Sequence, residues 1–402
     1  MFRRVRRSVF CIALALPLAV ACTPAPQQQV DAPPPAIITP VIEAAIPDGL
    51  QGWVQTARTE HNLIALGAVV ASHDGILDIA VDGVRTHGSV DTVQVTDRWH
   101  LGSNTKALTA LLYAQLVQRD LAAWNAPVSE LFPEFSDEID PAWQDITIED
   151  LFAHRSGLQQ MTGAWLNARH RDDRPISEQR LEVARLGLSK PPSQDRDEFK
   201  YNNLNYIVAG AAIEMILRTQ DDLPDTWEAA MQIMLFDRLA SETDRSGFGF
   251  GPPQAGLQGH RITLGTFTNA MGRGKSADNP MVLGPAGTMN ATLQAHAQLA
   301  LEFLKDDSEL IPVSMREKLF TPHPDADSGY AMGWGIRDDP KFGRLYLHSG
   351  SNTMWTSQII IAPDVDRVVI VNTNQFTDRA QAAIRDVINA TLEDTQSDAP
   401  PQ

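Results

Sequence analysis

Apolar and polar positions divide the chain into a strand-forming start, a helical middle and a strand-forming end. Two short apolar runs, 63–71 and 76–81, flank Asp74-Gly75. That dipeptide accepts the positive φ of a tight turn, so the pattern predicts a β-hairpin. Ahead of it, a helix is predicted to begin after Asp48, with Trp53, Val54, Ala57 and Leu63 on its apolar side. Residues 93–99 lead into a second helical run that is apolar nearly throughout. From Leu121 to about Met289 the pattern becomes helical segments joined by irregular loops. Ile146-Thr147-Ile148-Glu149-Asp150-Leu151-Phe152 opens one helix, with Thr147 as its cap, and 206–217 forms another. Strand patterns return at 330–336, 344–348, 356–361 and 368–372, and a last helix covers 378–392.

This pattern predicts an α+β fold. The sheet part takes 48–120 and 325–392, pairs into one antiparallel sheet, and is covered by the first helix, the last helix and the helix that begins at Ser103. The helical part, 121–324, packs beside it and leaves a cleft between the two, the usual place for a site. Segments 162–190 and 247–280 carry no readable motif and are expected to be the loops that select a substrate.

The N-terminus carries a different signal. Arg3, Arg4, Arg6 and Arg7 precede a short apolar run ending in Ala19-Val20-Ala21. Residues 1–21 therefore read as a secretory signal peptide, too short for a stable membrane span. Cleavage after Ala21 leaves Cys22 first, and the segment resembles a bacterial lipobox in which that cysteine is lipidated. Ala19 stands where a lipobox usually has leucine, so cleavage by ordinary signal peptidase is the alternative. Residues 22–47 are rich in Pro, Ala and Gln and read as an extended tether, and 393–402 as a disordered tail.

Two cysteines, Cys11 and Cys22, leave the mature domain without a disulfide or a thiolate metal site. A net charge of −17 argues against a nucleic-acid partner. No Gly-rich phosphate loop is present, and neither cofactor nor metal is expected. The expected partner is a small-molecule or peptide acyl substrate, with membrane contact only through a lipid on Cys22.

Candidate chemistry begins at Leu101-Gly102-Ser103-Asn104-Thr105-Lys106. Ser103 and Lys106 are three residues apart at a helix start, so their side chains share one face. Free backbone N–H groups and the positive helix end favour developing negative charge there. Lys106 is the first lysine of the chain and the next is Lys190, all other basic positions before it being arginine. An arginine cannot release its proton, whereas a buried lysine can. The alternative is a lysine reaching out from the first turn of a core helix.

Tyr201-Asn202-Asn203 precedes the helix at 206–217, and His348-Ser349-Gly350 ends a C-terminal strand. In order, Ser-x-x-Lys, Tyr-x-Asn and His-x-Gly resemble the three motifs of the class C β-lactamase and D,D-peptidase superfamily of serine hydrolases. Residues 146–158, Pro285-Ala286-Gly287-Thr288-Met289 and Gly329-Tyr330-Ala331-Met332-Gly333-Trp334-Gly335 resemble its further landmarks. The resemblance implies a β-lactamase/transpeptidase-like fold, an antiparallel sheet flanked by helices with an inserted helical subdomain. It implies that Ser103 forms an acyl-enzyme, that Lys106 takes its proton, and that Tyr201, its pKa lowered by Lys106, is the partner base. Asn203 would bond the substrate amide and Lys106. The backbone N–H groups of Ser103 and of Ser351, on the edge strand after His348, would form the oxyanion hole.

The departure from the pattern is His348, where β-lactamases and many D,D-carboxypeptidases have lysine. An imidazole attracts a carboxylate less than an ammonium does. The expected function is therefore an exported esterase or D-amino-acid peptidase type of serine hydrolase. A true β-lactamase or D,D-carboxypeptidase, and a slowly acylated or non-catalytic penicillin-binding sensor, are the alternatives. His348 is expected to join a hydrogen-bond chain with Tyr201 and Lys106 and to give a pH step in the ordinary histidine range.

Overall fold

The computed structural model describes residues 48–394, apart from 194, 196–197 and 264–266. The signal segment 1–21, the tether 22–47 with Cys22, and 395–402 of the predicted tail lie outside the described residues.

In chain order the strands are β1 (Ala65–Ser72), β2 (Gly75–Gly83), β3 (Arg98–His100), β4 (Phe248–Phe250), β5 (His260–Thr263), β6 (Phe267–Ala270), β7 (Met289–Thr292), β8 (Gly335–Asp339), β9 (Gly343–Ser351), β10 (Thr356–Ala362) and β11 (Arg367–Thr373). The main sheet is antiparallel in the order β2-β1-β11-β10-β9-β8, so the two ends of the domain meet at β1 and β11. The helices are α1 (Gly49–Glu60), α2 (Thr105–Gln118), α3 (Ile148–Phe152), α4 (Gly163–Arg169), α5 (Ile176–Leu188), α6 (Asn203–Leu217), α7 (Trp227–Met234), α8 (Glu242–Arg245), α9 (Gly284–Gly287), α10 (Leu293–Leu301), α11 (Val313–Phe320) and α12 (Asp378–Asp394).

Side chains alternate across a strand, and here both faces are buried. Leu66, Ala68 and Val70 of β1, Ile360 of β10 and Val369 and Val371 of β11 join Val54 of α1 and Ile384 and Val387 of α12 in one core. Ala65, Val69, Ile359, Val368 and Ile370 join the larger core on the other side. That inner face is covered chiefly by α10, whereas α2 is tied to the sheet through the 3-10 turn Gly102–Asn104 ahead of it, where Asn104 Nδ2 bonds Ser357 Oγ at 2.8 Å. Burial of α2 from Thr105 to Leu116 then comes from α6, α7, α9 and α11.

Several sequence expectations need correction. The strand at 330–336 starts only at Gly335, because Gly333 turns with φ of 84° and packs on the Ala107 backbone. Segments expected to be loops contain α4 and α5 at 162–190 and β4, β5 and β6 at 247–280. Leu63 lies beyond the end of α1, and α12 reaches Asp394, two residues into the predicted tail. Nor is β9 the sheet edge: β8 pairs it as far as Leu347. The residues after Leu347 run past the end of β8, so only that tip of β9 is left open on its outer side.

The helical part is tied together by a buried ion cluster. Arg180 of α5 donates to Glu214 of α6 at 2.6 Å and to Glu228 of α7 at 3.0 Å. Removing one partner of such a cluster leaves buried charge uncompensated, at a cost of about 3–5 kcal/mol. Arg180→Met should lower the unfolding free energy by that amount in urea titrations; a change below about 1 kcal/mol would show that the cluster contributes little to α5–α6–α7 packing.

Candidate active site

The chain enters the site from β3. Leu101 N–H is held by Met289 O at 2.8 Å, and Gly102 then turns with φ of 52°, in the left-handed region that favours glycine. A short 3-10 turn places Ser103 at the head of α2, half-buried, with Lys106 one turn further on and fully buried.

Lys106 Nζ has three neutral partners: Ser103 Oγ at 3.1 Å, Asn203 Oδ1 at 2.8 Å and Ala286 O at 2.5 Å. Burial drives its pKa well below the usual lysine range. A neutral amine has two hydrogens and one lone pair. Two of the three partners are carbonyl oxygens that can only accept. They take the two hydrogens, and the lone pair is left facing the Ser103 hydroxyl. This is the arrangement of a base ready to receive the serine proton.

Tyr201 and Asn203 are set by the start of α6. Asn202, not Asn203, is the cap: its Oδ1 accepts from Leu204 N at 2.9 Å, and its Nδ2 donates to Leu158 O at 2.8 Å. Asn203 is thereby free to face Lys106. The Tyr201 hydroxyl is hydrogen-bonded to Ser103, and Lys106 Nζ lies 4.9 Å from its ring centre. The residue is 40% exposed, but its oxygen points inward, and burial pushes the phenol up to about 12. The expected lowering by Lys106 is not found, because burial disfavours the charged forms of both groups. At neutral pH the phenol keeps its proton and is a donor.

His348 is buried on β9, and its Nε2 is 3.1 Å from Tyr330 Oη. Tyr330 in turn bonds Tyr206, whose hydroxyl donates to Phe152 O at 2.8 Å. With the Tyr206 proton committed to that carbonyl, Tyr330 donates to Tyr206 and accepts from His348 Nε2–H. The expected chain from His348 to Tyr201 and Lys106 is replaced by one leading away from Ser103. Burial pushes the His348 pKa down to about 3. It is neutral near pH 7, and the expected step in the ordinary histidine range does not arise from it.

Backbone meets backbone between the first and third motifs. A Cβ on Gly102 would lie 2.4 Å from Ser351 N, and one on Gly350 would lie 2.9 Å from Ser103 N and 1.9 Å from Leu101 O. The backbone nitrogens of Ser103 and Ser351 therefore lie at the contact between the two segments, and only glycine fits at either Gly102 or Gly350.

The sequence reading missed the Ala286 carbonyl, Tyr330 and His154. His154 Nδ1 accepts from Asn202 N at 3.2 Å, and its ring packs 4.3 Å from that of Tyr201. His154 has φ of 61°, unusual outside glycine. A signal for this cluster existed: Tyr201, Tyr206 and Tyr330 are three of only five tyrosines, and His154 and Tyr330 both lie in landmark stretches.

With this geometry in view, comparison with known proteins is informative. A family model described as Beta-lactamase matches residues 50–392, and the chain belongs to that family. It is a β-lactamase-related serine hydrolase with the β-lactamase/transpeptidase-like fold. Protein flp of Staphylococcus aureus (strain MW2) is 23% identical over 286 residues, covering 69% of this chain and 53% of flp. This chain thus spans about half the length of that relative. Esterase EstB of Burkholderia gladioli is 32% identical over 124 residues, 31% of each chain. Among solved structures, an octameric penicillin-binding protein homologue from Pyrococcus abyssi aligns with a TM-score of 0.67 and 17% identity, over 86% of this chain and 77% of that one. D-amino acid amidase from Ochrobactrum anthropi SV3 aligns with a TM-score of 0.66 and 15% identity, over 86% of this chain and 99% of that one. At these identities the two structures show a shared fold.

The site geometry fixes the sign of its pH response. The base form of Lys106 is lost as pH falls through its lowered pKa, so acylation should rise with pH. His348 stays neutral throughout that range. The rising limb of the pH profile of kcat/KM should therefore keep its midpoint in His348→Gln. Disappearance of the limb in that variant would return the titration to the histidine.

Proposed function

We propose that this chain is an exported serine hydrolase that acts through an acyl-enzyme on esters or amides of acyl groups without a carboxylate, D-amino-acid derivatives included. The observation that carries this reading is the Lys106 amine, whose two carbonyl partners leave its lone pair to Ser103. Ser103 Oγ attacks the acyl carbon as its proton passes to Lys106. The oxyanion forms between the Ser103 and Ser351 amides. As the bond to the leaving group breaks, Tyr201 gives that group its proton and is reprotonated by the Lys106 ammonium. Water then attacks the ester on Ser103 by the reverse path, its proton passing through the same groups to restore the serine hydroxyl.

The choice of acyl group follows from His348. A neutral imidazole with its Nε2 hydrogen committed to Tyr330 offers no positive charge to a substrate carboxylate. The name of esterase EstB and the amidase activity of the Ochrobactrum structure support ester and D-amino-acid amide substrates here. The basic, apolar and small-residue pattern of 1–21 supports export, with a lipid on Cys22. Membrane fractionation of wild type and Cys22→Ala tests that part: the variant should become soluble, and an unmodified Cys22 on a soluble wild-type protein would refute the anchor.

A fluorophosphonate probe should label Ser103, and Ser103→Ala should abolish labelling and turnover of a nitrophenyl ester. Lys106→Arg keeps the charge but supplies no base, and should lower the acylation rate by about 10²–10⁴-fold. Near-normal acylation in that variant would make the lysine structural. The wild type should hydrolyse the neutral ester faster than a cephalosporin, and His348→Lys should narrow the difference. A wild-type preference for the cephalosporin would assign the chain to the β-lactamases instead.

A further inference from the structure

The two segments that flank the proposed oxyanion position are joined behind it by one carboxylate. Asp278 is almost wholly buried and follows the 3-10 turn Lys275–Ala277. Its Oδ2 accepts from His100 Nε2 at 2.8 Å, and its Oδ1 accepts from Asn352 Nδ2 at 2.9 Å and from Asn279 N at 2.7 Å. His100 Nδ1 lies 3.0 Å from Gly102 N, and its ring stacks 6.5 Å from that of Trp355. A backbone N–H can only donate, so Nδ1 must be the bare nitrogen and Nε2 must carry the hydrogen that goes to Asp278. One arm thus ends on Gly102, the residue before Ser103. The other ends on Asn352, the residue after Ser351.

We propose that Asp278 is the positioning residue of the oxyanion hole, fixing the His100 tautomer and holding both amide-bearing segments in register. It touches no reacting atom and acts through His100 and Asn352. The inference rests on the acyl-enzyme reading above and adds the group that aligns its most distance-sensitive part. The backbone contact at Gly102 and Gly350 limits how closely the two segments approach. It does not fix how they slide or rotate past each other; the Asn104–Ser357 bond restrains the α2 side on β10, and the Asp278 bridge restrains the Gly102 and Asn352 ends.

Asp278→Asn tests this with nearly no change of shape. The amide would present N–H groups to His100 Nε2, which must then accept, so the hydrogen moves to Nδ1 and opposes Gly102 N–H. Losing one oxyanion donor outright lowers turnover by about 10²–10³-fold. Misaligning it should lower kcat for a nitrophenyl ester by about 10- to 100-fold with KM little changed. Affinity for a boronate, whose tetrahedral adduct places an oxygen in the same hole, should fall by the same factor. Nitrogen-15 NMR of the His100 ring, assigned by its loss in His100→Gln, should show Nε2–H in the wild type and Nδ1–H in Asp278→Asn. A wild-type ring protonated at Nδ1 overturns the inference without any variant. Unchanged kcat and boronate affinity in Asp278→Asn also overturn it, while leaving the acyl-enzyme reading intact. If that variant does not fold, Asn352→Ala severs the second arm alone, and kinetics equal to wild type there overturn the inference. A wild-type protein that neither labels at Ser103 nor turns over ester refutes the acyl-enzyme reading itself, and this inference with it.

Discussion

A lysine buried without a counter-ion is the constraint from which the rest of the site follows. Taking an ammonium out of water costs several kcal/mol unless a carboxylate repays it, and among the described residues Lys106 Nζ hydrogen-bonds only to neutral oxygens. The neutral amine is the form such a pocket tolerates. Holding it so requires α2 to be covered on every side, which is why Thr105 to Leu116 are all buried. It also requires contributions from elsewhere in the helical part: the Asn203 side chain at the start of α6 and the Ala286 carbonyl in α9. The serine turn, α2 and the inserted helices therefore meet at one nitrogen atom.

The tyrosines obey the same rule. Where the hydroxyl is buried, a phenol resists ionisation, and Tyr201 becomes a proton donor rather than a resting base. His348 is pushed to the neutral form by the same burial. The site thus holds its catalytic groups uncharged at rest, and separates charge only while a proton is in transit from serine to lysine.

The sheet was legible in the sequence because its strands carry the alternation that two-sided burial demands: Leu66, Ala68 and Val70 face one core while Ala65 and Val69 face the other. The three motifs were legible because local spacing places Ser103 beside Lys106 on one helical turn. What failed to read were features decided by tertiary contact. The 330–334 stretch has strand composition, but its glycine is pressed against α2 and turns. Segments 247–263 and 267–270 carry strands too short and too weakly patterned to separate from loop. The protonation states of Tyr201 and His348 depend on burial, which spacing does not encode. The Asp278–His100 bridge spans 178 positions and had no pattern to announce it.

The adjacent asparagines at the start of α6 divide two duties that either side chain could perform. Asn202 satisfies a free helix N–H, while Asn203 faces the amine. Their assignment depends on register alone. An insertion or deletion of one residue between Tyr201 and Leu204 would break that division of duties and swing the tyrosine away from the serine. Evolution can vary the substrate-facing segments on either side in sequence and length, whereas this junction is frozen in length even where its residues could drift.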